Sequence, residues 1–183
     1  MALTATLYNL TIDLSDIDRG VYETLELRVA RHPSETAEYM TTRVLAYALE
    51  YREGIAMTEG VSSGDEPAVL VRDLTGRITA CIEVGMPDAS RLHRASKLAD
   101  RVAVYTHRDV RQLLAQYEGA GIHRAAGIPI YAFERSFIDG LAASIDRRTS
   151  MALSVTDREI FAALDDTTLH GTIIEHRIKP ADH

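Results

Sequence analysis

Two short apolar runs separated by Asp73-Leu74-Thr75-Gly76 constrain this chain more than any other feature. Asp, Thr and Gly suit a tight turn, so the runs over 67–73 and 77–84 predict a β-hairpin folded about Leu74 and Thr75. Positions whose numbers sum to about 148 to 150 then face each other, which brings Asp65 to the strand end that carries Glu83. Side chains alternate along a strand, so these two odd-numbered acids share a face when the sum is even. Gly64-Asp65-Glu66-Pro67 is also good turn chemistry, and that second reading stays open for Asp65. Glu83 is surrounded by Ala80, Cys81, Ile82 and Val84, small or apolar on both faces as in a central strand. An ionised carboxylate there calls for a metal or for a structural ion pair.

The chain has 183 residues, of which 46% are hydrophobic and 26% charged. That is enough for one buried core, and no shift of composition divides it, so a single domain over 1–183 is expected. No apolar run approaches the roughly 18 residues of a membrane span, and Met1-Ala2-Leu3-Thr4 opens no secretory leader, which together predict a cytoplasmic protein with no membrane partner. Cys81 is the only cysteine, so no intrachain disulfide forms, and its mid-strand position reads as core. A net charge of −7 argues against broad nonspecific binding of nucleic acid. Locally the balance reverses: Arg91, Arg94, Lys97, Arg101, Arg108 and Arg111 stand against Asp100 and Asp109. The stretch is either a basic patch beside the hairpin or a set of solvated helix surfaces.

Alternating apolar positions predict paired strands over 3–13 and 22–31. Ser34 is a good N-cap, and Ala37, Met40, Val44, Tyr47, Ala48 and Tyr51 recur at helical spacing to about Arg52. A strand over 55–61, the hairpin, a helix over 88–100, a strand over 102–106, a helix near 109–118, a strand near 129–133 and a helix near 134–146 follow, then strands near 149–155 and 168–177. Gly119-x-Gly121 follows a helix instead of opening one, so it is a loop and not a dinucleotide fingerprint. The seven histidines show no His-x-x-x-His pair on a helix, and His93 and His107 read as exposed or core-satisfied. With no Trp and three Phe, stacking platforms for single strands are unsupported.

The order helix, three strands, helix, strand, with an Asp opening the second core strand and a Glu near the end of the third, resembles the core of the PD-(D/E)xK nuclease superfamily. More narrowly, the chain resembles the bacterial YaeQ family over nearly its whole length. The resemblance rests on Met1-Ala2-Leu3-x-Ala5-Thr6, Ala30-Arg31-His32-Pro33-Ser34-Glu35-Thr36 with Glu38 and Arg43, Asp65-Glu66-Pro67, Glu83-Val84-Gly85-x-Pro87-Asp88, Arg91-x-x-Arg94-Ala95 and Val104-Tyr105-Thr106. It implies an α/β fold with a restriction-endonuclease-like core, its central mixed sheet extended by extra β-strands at both ends.

The resemblance also implies a Mg²⁺- or Mn²⁺-dependent nuclease, with Asp65 and Glu83 as metal ligands, the Val84 carbonyl completing the protein's share and an acid of the first helix assisting. Glu38 is the candidate acid, about 120° from Val44 on the helical wheel, whereas Glu35 at about 180° is expected to face solvent in the first turn. Glu38 also reads as a plain surface acid. The superfamily lysine is replaced by Gly85, so the phosphate-facing cation falls to Arg94 or Lys97, with Arg91 a third choice. Gly85 equally reads as a sign that catalysis has been lost, which leaves a non-catalytic protein that binds nucleic acid or a protein partner through the same cleft.

Overall fold

The computed structural model of the chain describes residues 4–59 and 64–180. Its elements run β1 (Thr6–Asp16), β2 (Val21–Arg31), α1 (Ala37–Leu49), β3 (Ile55–Met57), β4 (Val69–Arg72), β5 (Ile78–Val84), α2 (Ala89–Leu98), β6 (Arg101–Thr106), α3 (Val110–Tyr117), β7 (Pro129–Phe133), α4 (Arg135–Ser144), β8 (Arg148–Thr156), β9 (Glu159–Leu164) and β10 (Thr167–Arg177). The strands form one mixed sheet in the order β2-β1-β8-β9-β10-β7-β6-β5-β4-β3. Strands β5, β6 and β7 run parallel, as helical crossovers require, and β1 lies parallel to β8. The strands supplied by the two chain ends all join the sheet on the β7 side.

Alternation along the strands sorts side chains into two cores. One gathers Leu10, Ile12, Ile82, Ala103, Leu153 and Ile160 with Val44 and Leu45 of α1 and Ile138 and Leu141 of α4. The other packs Cys81, Val102, Val104 and Ile130 under Leu92 of α2 and Leu113 of α3. Burying one such Leu or Ile contributes about 2 kcal/mol, so the sheet is held from both faces.

The sheet is nearly closed. Strand β10 is the joint, pairing over Thr167–Thr172 with β9 and over Ile173–Arg177 with β7. At Gly171 a Cβ would lie 2.8 Å from the Phe137 ring, so only glycine lets α4 pack this close. The two edge strands meet one side chain: Arg43 of α1 donates Nη2 to the Ala30 carbonyl of β2 (3.1 Å) and Nη1 to the Thr58 carbonyl beyond β3 (3.2 Å).

Several expectations change. Helix α1 is capped by Thr36, whose hydroxyl accepts the Tyr39 N–H at 3.1 Å, while Ser34 turns to His32 Nδ1 instead. The hairpin forms with the expected turn, Gly76 N–H to Asp73 carbonyl at 2.9 Å, but its register is Val69↔Ile82, Leu70↔Cys81 and Val71↔Ala80, an odd sum. A bulge between Val71 and Arg72 inserts one residue and shifts the pairing. The strand expected over 55–61 spans Ile55–Met57; its positions 60 and 61, like the opening Met1-Ala2-Leu3, lie outside the described residues. Strand β9 was not expected at all.

Candidate functional site

At the end of β5 the chain leaves the sheet through Gly85 and enters α2 at Asp88, whose Oδ1 accepts the Arg91 N–H at 2.8 Å. This cap sets Arg91 in the first turn of α2, beside Glu83. Arg91 Nε donates to Glu83 Oε2 at 2.8 Å, Nη1 donates to the Gly64 carbonyl at 2.7 Å, and Nη2 donates to the Glu66 carbonyl. One guanidinium therefore clasps the β5 glutamate and the backbone on both sides of Asp65. Asp65, Pro67, Cys81, Glu83, Arg91 and Arg94 line a cavity of about 470 Å³ closed by Ala95 and Leu98.

Glu83 is 4% exposed. Burial pushes its carboxyl up to about 7, against the opposing fields of Arg91 and Arg94. A carboxyl raised by burial, in a cleft with a specific charged partner, makes Glu83 a candidate functional group. Burial likewise raises the Cys81 thiol to about 11, which makes it a poor nucleophile.

Of the residues singled out in the sequence, Asp65, Glu83 and Arg94 meet in this cavity. The odd register means that strand alternation does not bring Asp65 there; it sits in the exposed turn before β4, outside any strand. The Val84 side chain faces the α1 core. Lys97 is exposed in the last turn of α2, and its charge acts on His123. Glu38 is half-buried in the first turn of α1, and its charge acts on His107, whose Nδ1 lies 3.1 Å from Thr42 Oγ1. Among the described residues, no three His, Cys, Asp or Glu side chains are gathered as a metal-binding group.

Glu35 does not face solvent. It precedes the Thr36 cap, so the helical wheel does not apply to it, and it is 2% exposed against Arg43 at 1%. Arg43 Nη2 lies 2.9 Å from Glu35 Oε1, and Glu35 Oε2 accepts the His32 N–H at 3.2 Å. Burial raises the Glu35 carboxyl and Arg43 opposes the rise. The His-Pro-Ser-Glu stretch thus anchors the arginine that joins the sheet edges.

One participant was ranked low in the sequence and one went unread. Arg91 ranked only third among the cations, although its place three residues after a capping Asp was a signal. Tyr39 was missed: its ring lies against Gly85, where a Cβ would be 3.2 Å from the ring, and it senses the charges of Glu83 and Arg91. Gly85 has φ +83°, so a lysine there would be strained as well as crowded.

Fold and site together define a mixed α/β chain with a nearly closed sheet, ten-stranded among the described residues, and a carboxylate–arginine cavity at the end of one central strand. The model of the family described as YaeQ protein matches residues 1–173, and the chain belongs to the YaeQ family. It is 31% identical over 170 residues to the Escherichia coli (strain K12) protein named "Uncharacterized protein YaeQ", covering 92% of this chain and 94% of that one. The Salmonella typhi protein of the same name is 30% identical over 162 residues, covering 88% and 90%. The crystal structure of YaeQ protein from Pseudomonas syringae superposes with a TM-score of 0.87 at 33% identity, covering 93% of this chain and 95% of that one. The YaeQ protein from Xanthomonas axonopodis pv. citri gives 0.87 at 28%, covering 96% and 100%. No helix among the described residues is long and apolar enough to cross a membrane.

Proposed function

We propose that the cavity at the end of β5 binds and hydrolyses phosphodiesters of nucleic acid with a divalent metal, on a restriction-endonuclease-like core. The observation that carries this reading is the convergence of Asp65 and Glu83, eighteen positions apart in the sequence, on one cavity with Arg91 and Arg94. The donors suit a hard ion: two carboxylates, with the Val84 carbonyl next in the chain. Glu83 already holds a cation, the Arg91 guanidinium, so Glu83 would have to release that pair to serve as a metal ligand. When bound, Mg²⁺ or Mn²⁺ supplies charge stabilisation and a more acidic water.

The chain's own groups do the rest. Asp65 and Glu83 would hold the ion, and Arg94, exposed at the cavity wall, would grip a phosphate oxygen through its planar fork. Arg94 stays protonated and cannot serve as a base. Lys97, the alternative phosphate cation, and Glu38, the candidate further metal ligand, do not line this cavity. A second reading, a non-catalytic protein that binds nucleic acid or a protein partner through this cleft, is favoured by the Arg91–Glu83 ion pair and by Gly85 in the lysine place.

Purified protein is incubated with Mn²⁺ and mixed DNA and RNA, beside Glu83→Gln. Hydrolysis predicts cleavage by wild type that falls at least about 100-fold in the variant, together with calorimetric Mg²⁺ binding that the variant loses. Equal cleavage by both proteins removes the mechanism. Nucleic-acid retention without cleavage or metal binding, lost in Arg94→Gln, selects the second reading.

A further inference from the structure

A second cavity, of about 700 Å³, lies on the opposite face of the sheet, between the C-terminal end of α1 and the β8–β9 turn. Its size falls within the range of small-molecule sites. Leu49, Tyr105, Tyr131, Val155 and Ile173 form its apolar wall, and Arg19, Arg52, Arg101 and Arg158 stand around it with Asp16, Asp18, Glu50 and Asp157. The formal charges cancel, but the groups are not equally available.

Three of the acids are already engaged. Glu50 accepts from Arg101, from Arg52 and from the Tyr105 hydroxyl. Asp16 accepts from Arg19, whose guanidinium also caps the carbonyls of Ala48 and Tyr51. Asp18 accepts the backbone N–H groups of Asp157 and Arg158 at 2.7 and 3.0 Å. The guanidinium groups of Arg52, Arg101 and Arg158 remain partly open to solvent; Arg52 and Arg101 spend only part of their donors on Glu50, and Arg158 gives Nη2 to Glu175 Oε2 at 3.3 Å and keeps its other donors.

The backbone at Arg158 supplies an independent observation. Asp157 and Arg158 have φ +51° and +64°, two consecutive non-glycine residues in the left-handed region, at a tight turn where Asn-Gly is the relaxed choice. The Asp18 carboxylate and the bond from the Ile173 N–H to the Arg158 carbonyl (2.8 Å) hold the turn in place. The outcome is a guanidinium 5.3 Å from the centre of the Tyr131 ring, at the cavity wall. Strain kept at a cavity wall, on a residue that glycine would relieve, points to a use for its side chain.

We infer that this cavity binds a phosphate-bearing small molecule of mononucleotide size, its phosphate on the forks of Arg158 and Arg52 and its body against Tyr131, Val155 and Ile173. Guanidinium forks match phosphate geometry, and the volume leaves room for more than the anion. The inference does not rest on the reading of the β5 cavity.

The probes are adenosine 5′-monophosphate, adenosine and inorganic phosphate, read by calorimetry and thermal shift. Wild type is expected to bind the monophosphate at least tenfold more tightly than either fragment. Arg158→Gly is expected to fold with unchanged or higher thermal midpoint, because the turn relaxes, and to lose at least tenfold in affinity; Arg52→Gln is expected to lose affinity as well. Arg94→Gln, in the other cavity, is expected to bind as wild type does. The inference is overturned by no binding to wild type, by loss in Arg94→Gln with retention in Arg158→Gly, or by phosphate alone binding as tightly as the monophosphate.

Discussion

Glu50 and Glu83 are buried glutamates serving opposite faces of one sheet, and they are provided for very differently. Glu50 has donors on both oxygens: Arg101 Nε at 2.9 Å and Nη2 at 2.6 Å, the Tyr105 hydroxyl at 2.8 Å and Arg52 Nη2 at 3.3 Å. Among the described residues Glu83 has one side-chain hydrogen bond, from Arg91 at 2.8 Å, and an adjoining cavity. A carboxylate tied from several directions fixes neighbouring elements, here the end of α1 to β6. One tied once, with its acidity weakened by burial, is free to exchange partners. The first serves the architecture, and the second is the one that the proposed chemistry would use.

The largest expected effect tests that division. Glu50→Gln leaves Arg101, Arg52 and Tyr105 around a neutral amide, and breaking such a buried network is expected to cost about 3 to 5 kcal/mol in urea denaturation. A cost below about 1 kcal/mol would put Glu50 in the same category as Glu83.

Next comes the pH dependence of Glu83. Its folded-state value, about 7, lies above the ordinary 4.5, so between these values the folded chain keeps a proton that the unfolded chain has released. Its contribution to stability is present at low pH and is lost as pH rises through that window. The displacement corresponds to a ceiling of about 3 kcal/mol. Glu83→Gln, which stays neutral, is expected to match wild type near pH 4.5 and to exceed its stability at pH 8 by up to about 3 kcal/mol. Metal affinity of the wild type is expected to rise over the same interval, since the ligand must be ionised. A variant no more stable at pH 8 than wild type would show that Arg91 keeps Glu83 charged.

How much of this was legible in the sequence differs by element. The paired first strands, the hairpin turn and the helices opened by Asp88 and Asp109 were readable because local chemistry decides them. Strand β9 was not, since the turn at Asp157 and Arg158 lacks Asn-Gly and is held by Asp18, 139 positions away. Asp65 and Glu83 both line one cavity, but the register that was to bring them together is undone by the bulge at Val71 and Arg72. Glu35 was misplaced because helical angles were applied to a residue before the cap. Side chains that act across long separations, such as Arg43 on both sheet edges, leave no local pattern to read.

Gly85 probes the fit around Glu83 more gently. Gly85→Ala forces a side chain into the left-handed region and to within 3.2 Å of the Tyr39 ring, for an expected loss of about 1 to 2 kcal/mol. Gly85→Lys is expected to lose at least as much and to add no cleavage beyond that of wild type, because a side chain at φ +83° meets the Tyr39 ring.

Asp65→Asn should move stability least, and that is its value. Asp65 is exposed in a turn, its carboxylate shows no hydrogen bond among the described residues, and the backbone on either side is held by Arg91 whatever stands at position 65. A change within about 0.5 kcal/mol is therefore expected in denaturation. If the acid exists to hold a metal beside Glu83, the same substitution removes Mg²⁺ binding measured by calorimetry. Turn chemistry alone predicts otherwise: Asn forms the same side-chain turn as Asp, so it would leave both stability and binding untouched. The two readings that the sequence left open for Asp65 thus separate on one variant, through a loss of binding without a loss of fold.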